Sequence, residues 1–121
     1  MNKEQAIHNF WSSFGLTAYD ETDVPTGATL PYITYSVATS SLGNVVSMSA
    51  SIWYRSNSWK DITLKKDEIS EAIGIGGKVI ELDNGYVWIQ RGSAFAQRVA
   101  DANKDIRRIY LQTQVEFLTE D

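Results

Sequence analysis

Residues 108–117 read Arg108-Ile109-Tyr110-Leu111-Gln112-Thr113-Gln114-Val115-Glu116-Phe117, and this stretch decides the fold class. Ile109, Leu111, Val115 and Phe117 fall on one side of an extended chain, while Arg108, Tyr110, Gln112, Gln114 and Glu116 fall on the other. Alternation of that length predicts a strand with one face on a core. Working backwards, residues 92–104 read as a polar connection that contains Phe95 and Val99, with at most a short helical turn. Before it, residues 78–82 and 86–91 flank Asp83-Asn84-Gly85, whose Asn-Gly pair favours positive φ and predicts a hairpin. Ile33, Tyr35 and Val37, and then Val46, Met48, Ala50, Ile52 and Tyr54, alternate with small hydroxyl residues on either side of Ser41-Leu42-Gly43-Asn44, predicting a second antiparallel hairpin. One face of that hairpin is apolar and the other is lined by serines, with Trp53 on the serine side.

Two helices complete the pattern. Ala6, Ile7, Phe10, Trp11 and Phe14 recur at spacings of three and four, so residues 2–14 predict an amphipathic helix with Asn2 as its cap and Gly15 as its stop. Ser58 opens the second helix, with Asp61 three residues on as in a capping box. Ile62, Ile69, Ala72 and Ile73 mark its inner side, and Gly74, Gly76 and Gly77 end it. Between the first helix and the first strand, residues 16–31 read as a long polar loop punctuated by Pro25, Gly27 and Pro31. Connections of that length are often functional or ordered by a partner. The expectation is a single α+β domain over 1–121, with a mainly antiparallel sheet of about five strands and two helices packed on it.

Composition bounds the function. At 121 residues and 13.6 kDa, the chain is one domain that can bury roughly two thirds of its unfolded surface. It has no cysteine, which removes disulfides, thiolate metal sites and a cysteine nucleophile, and the single His8 cannot build a multi-histidine metal site. Eleven Lys and Arg against fifteen Asp and Glu give a net charge of -4, which argues against a free-standing nucleic-acid binder. No apolar run approaches the roughly 20 residues of a membrane-spanning helix, and the N-terminal stretch is amphipathic rather than signal-like.

The search for chemistry finds no catalytic, cofactor-binding or metal-binding set. No Gly-x-Ser-x-Gly turn surrounds a serine. Glu81 and Asp83 flank a turn, where solvated acids are expected, and the glycines at 74–77 follow a helix, whereas a phosphate cradle needs them before one. Asp20, Glu21 and Asp23 lack the spacing of a calcium loop. His8 lies between the stripe residues of its helix and reads as a surface or boundary side chain. What remains is surface: Trp53, Tyr54, Arg55 and Trp59 in one short stretch, with Arg107, Arg108 and Tyr110 near the last strand. Trp, Tyr and Arg dominate interface hot spots, because they bury large area with few rotors and keep a polar handle. These seven are the interface candidates, set against the plainer reading that the tryptophans complete the core.

The segment Leu30-Pro31-Tyr32-Ile33-Thr34-Tyr35 after a helix and acidic loop resembles the first strand of the tail-terminator (tail-completion, minor tail) proteins of long-tailed bacteriophages. Trp53-Tyr54-Arg55-Ser56, then Ser58-Trp59-Lys60-Asp61 opening a helix, and the closing Asp105-Ile106-Arg107-Arg108-Ile109-Tyr110-Leu111 are similar to the same family. The resemblance covers about residues 2–118. It implies a subunit, made in the host bacterial cytoplasm, that closes into a ring, commonly a hexamer, in the virion tail or neck. Such a ring caps the tail tube, stops its polymerisation and meets the head connector. It implies partners among tail-tube and neck proteins, no cofactor and no catalysis. Under that reading Asp20, Glu21 and Asp23 are candidates for lumen- or tube-facing positions, since an acidic lining repels passing DNA. A head-closure or other neck protein is the near alternative; a small-molecule-binding module or an enzyme is the alternative from another class.

Overall fold

A computed structural model describes residues 1–42 and 44–120; Gly43 of the expected 41–44 turn, and Asp121, lie outside the described residues. The chain runs α1 (Lys3–Ser12), β1 (Thr17–Asp20), β2 (Tyr32–Tyr35), β3 (Val45–Arg55), α2 (Lys60–Ile73), β4 (Lys78–Leu82), β5 (Gly85–Val99) and β6 (Ile106–Thr119). The fold class is α+β, as the sequence predicts. The six strands form one sheet in the order β1-β2-β3-β6-β5-β4, antiparallel at every pairing except the parallel β1/β2 edge.

Local chemistry explains the elements that the sequence predicts correctly. Asn2 and Gln5 form a reciprocal capping box at the start of α1: the Asn2 side chain accepts from Gln5 N at 2.8 Å, and the Gln5 side chain accepts from Asn2 N at 2.9 Å. Such a cap is worth about 1 kcal/mol. The stripe Ala6, Ile7, Phe10, Trp11 and Phe14 is buried. At the β4/β5 turn Gly85 sits at φ 149°, and a Cβ there would drive into the carbonyl of Leu118, so only glycine fits this hairpin against β6.

Four expectations are corrected. The segment 16–31 is not all loop: β1 lies within it and adds a sixth strand, because Thr17–Asp20 pairs in parallel with Tyr32–Tyr35. Four residues are too few to show a period, so this strand exists only through its partner. The segment 92–104 is not all connection either. β5 resumes after an irregularity between Arg91 and Ala96 and pairs through Val99 with Arg108, so the extra residues of the bulge hid the alternation. The second helix begins at Lys60, with Trp59 at the cap and no side-chain cap bond; Ser58 Oγ accepts from Lys60 N at 3.1 Å without being the cap. Ala72, expected inside, is exposed, whereas Ile62, Ile69 and Ile73 are buried.

Both helices pack on one face of the sheet. α1 touches β1 and β4, the two opposite edges, so the sheet curls around it, while α2 covers β3, β5 and β6. Ile7, Ile33, Ile52, Leu111, Val115 and Phe117 fill the concave side, each at most 1% exposed. Among the described residues, no helix lies on the convex face.

Candidate assembly surface

The convex face inherits the second half of each alternating pattern. Because β3 and β6 place Ile52 opposite Ile109 on the core side, the next pair along, Trp53 and Arg108, stands on the convex side. A row of side chains crosses four strands there. Tyr19 meets Tyr32 edge-to-face at 5.6 Å between ring centroids, Tyr32 meets Trp53 at 6.3 Å, and the Arg108 guanidinium lies 4.6 Å from the Trp53 indole and 6.0 Å from the Tyr110 ring. Hydrogen bonds fix the row: Trp53 Nε1 donates to Thr34 Oγ1 at 2.9 Å, and Arg108 Nε donates to Ser51 Oγ at 3.0 Å. The serines of β3 are what allow large neighbours to lie flat. Beside Tyr110 they shape a shallow groove of about 180 Å³, lined by Ser47, Ser49, Gln112 and Gln114. Flat π faces, a guanidinium and amide side chains can bind another protein surface.

The seven interface candidates do not form one patch. Trp53, Arg108 and Tyr110 share the convex face. Tyr54, Trp59 and Arg107 lie on the helix side, where Tyr54 and Trp59 pack partly buried against the core. Arg107 stacks 5.2 Å from the Trp59 indole and donates to Lys104 O and Asn57 O, both at 3.0 Å. Arg55 is exposed at the end of β3. The plainer core reading therefore holds in part for Trp59 and fails for Trp53. Sequence reasoning missed Tyr19, Tyr32 and Arg98. Arg98 stacks 4.7 Å from the Trp59 indole, but it belongs to the part of β5 that reads as a connection. The alternation of Tyr32 with Ile33 was the available signal for Tyr32.

The acidic group sits at the end of edge strand β1. Asp20 accepts from Thr22 N at 2.9 Å and from Thr22 Oγ1 at 2.8 Å, and these two bonds hold its carboxyl below the usual carboxylate range. Glu21 and Asp23 are exposed on the same turn. Asp20 lines an open cleft of about 390 Å³ with Glu4, Gln5, His8, Asn9 and Tyr35. In it His8 Nδ1 and the Tyr35 hydroxyl are 2.7 Å apart, while His8 Nε2 and Ser12 Oγ are 3.3 Å apart. Burial, and then the charge of Asp20, push the Tyr35 hydroxyl above the usual tyrosine range, so it stays protonated. His8 is exposed, as its place on the helix predicts. Among the described residues no group of three His, Asp or Glu could hold a metal ion, and no helix is long and apolar enough to cross a membrane.

No family model matches the chain, and no curated protein matches it. Among solved structures, a chain from the virion of a native gene transfer agent particle shares the fold with a TM-score of 0.60. It is 18% identical in sequence, and the match covers 88% of this chain and 82% of that one.

Proposed function

We propose that this protein is a structural subunit of a phage-type virion, and within that class a tail terminator. In this reading it closes into a ring on the tail tube, stops tube growth and presents a surface to the head connector. The observation that carries the reading is the convex aromatic and arginine row, on the sheet face that no helix among the described residues covers. The fold shared with a virion chain supports the same class, and so does the resemblance of the Leu30–Tyr35, Trp53–Asp61 and Asp105–Leu111 segments to tail-terminator proteins. A closed ring needs two unlike patches on each subunit. The convex row through Trp53, Arg108 and Tyr110 is proposed as one of them. The acidic turn Asp20, Glu21 and Asp23 is proposed to face the lumen or the tube end.

The test is sedimentation and electron microscopy of the purified protein, alone and with tail-tube protein. Rings, hexameric by expectation, at high concentration or on tube ends support the reading; a monomer under both conditions overturns it. A head-closure role differs in its partner. Binding to the head connector with no effect on tube polymerisation would assign that role instead.

A further inference from the structure

Along the strand direction the sheet has two unlike ends. β3 finishes at Arg55 where β6 begins, and Arg98 pairs with Ile109, so Arg55, Arg98, Arg107 and Arg108 gather at one end. These are four of the five arginines in the chain. At the other end Val45 pairs with Glu116 and Gly85 with Thr119, which collects Glu116, Glu120 and the Asp83 turn. Glu4 and Glu120 line adjacent clefts there that share Asn84.

The basic end is held in place without being neutralised. Among the described residues the ion pairs involve the Met1 amine, Lys65 and Lys66, and no arginine pairs with a carboxylate, although acids outnumber bases in the chain. Arg98 and Arg107 are both stacked on Trp59, a contact that orients a guanidinium without neutralising it; Arg107 also spends donors on Lys104 O and Asn57 O, so the guanidiniums of Arg55 and Arg98 are the ones offered to a partner. Arg107 Nε is buried with no hydrogen-bond partner. Asp61, Asp101 and Asp105 share this end, but Asp101 is engaged in its own loop, accepting from Asn103 N at 2.9 Å. Unpaired, pre-oriented guanidiniums beside an indole are suited to carboxylates, which they grip through paired N–H donors.

We propose that this basic, tryptophan-stacked end docks the acidic end of a second copy of the same chain, around Glu116 and Glu120. The occupant follows from charge complementarity within one sequence: each copy carries the arginine end and, at the far end of the same strands, Glu116 and Glu120, which form no ion pair among the described residues, whereas Asp83 there is held by the Met1 amine. Two unlike patches on one subunit make a head-to-tail contact, which closes into a ring when the rotation per subunit permits. The inference rests on the assembly reading above and names the contact that reading requires.

The experiment is a pairwise charge reversal read by sedimentation at low and high salt. One variant carries Arg55→Glu and Arg98→Glu; the other carries Glu116→Lys and Glu120→Lys. All four positions avoid the buried core, and melting curves establish that both variants fold. The wild-type assembly is expected to weaken with added salt, and each variant alone to lose the assembled species at concentrations where the wild type forms it. An equimolar mixture is expected to recover it, since every contact then again joins acid to base. If the Arg55/Arg98 variant assembles like the wild type, the proposal is overturned and the assembly reading stands. If the wild type instead binds duplex DNA and this variant loses that binding, the end reads phosphate and the proposal is overturned. If the wild type never assembles, alone or on tube protein, the assembly reading fails and the proposal falls with it.

Discussion

Trp53 on β3 and Arg108 on β6 are directly opposed across the sheet, with the guanidinium 4.6 Å from the indole centroid, and each is tied sideways to a hydroxyl of a neighbouring strand. The pair is part of the fold as well as part of the surface. A cation stacked on tryptophan at a half-exposed site is worth about 0.5–2 kcal/mol. Both side chains are partly buried, and the area they still expose is on the convex side, where a partner can lie on it.

Arg108→Glu should therefore have a small effect on the fold and a large one on assembly. We expect a loss of about 1 kcal/mol, or a few degrees in Tm, together with loss of the assembled species in sedimentation. A fall in Tm well beyond ten degrees would place Arg108 in the fold alone.

Thr34→Val keeps the shape of a residue that is 8% exposed and removes the acceptor of the Trp53 indole N–H. Leaving that donor unpaired should cost about 1–2 kcal/mol. Chemical denaturation measures it, and an unchanged midpoint would show that water replaces the bond.

Gly85→Ala tests the hairpin. At φ 149° and against the Leu118 carbonyl, the added methyl meets both backbone strain and a clash with a central strand. We expect a loss of about 3 kcal/mol or more, with β4 released before the rest. Hydrogen exchange at residues 78–82 reads the local effect.

Alkaline pH should destabilise the fold. Burial, followed by the charges of Asp61 and Glu68, raises Tyr54 above the usual tyrosine range, and burial together with Asp20 raises Tyr35. A folded pKa above the unfolded value gives stability that is complete below about pH 10 and is lost as pH rises through the folded value. Stability should thus fall above about pH 10, and Tyr54→Phe should flatten that fall; an equal slope in the variant would remove Tyr54 from the account. At the acid end Asp20 works in the opposite sense. Its lowered pKa gives stability above about pH 4 that is lost on further acidification. The effect is small, because the carboxylate is solvated.

The amino-acid sequence alone determined the elements whose signals are local. The capping box of Asn2 and Gln5, the α1 stripe, the Asn84-Gly85 turn and the alternation of β6 each depend on residues a few positions apart, so their spacing is visible in one dimension. The sidedness of Trp53 and Tyr54 was legible for the same reason, since neighbours on a strand point to opposite faces. Tertiary structure decided the rest. β1 is too short to show a period and is a strand only because Tyr32–Tyr35 lies beside it. The second half of β5 is disguised by its bulge and recovered only by pairing with β6. The grouping of Arg98 with Arg55 and Arg107, from three separate strands, follows from register. Register is fixed by burying the apolar face of the whole sheet at once, a condition that no single segment carries in its own residues.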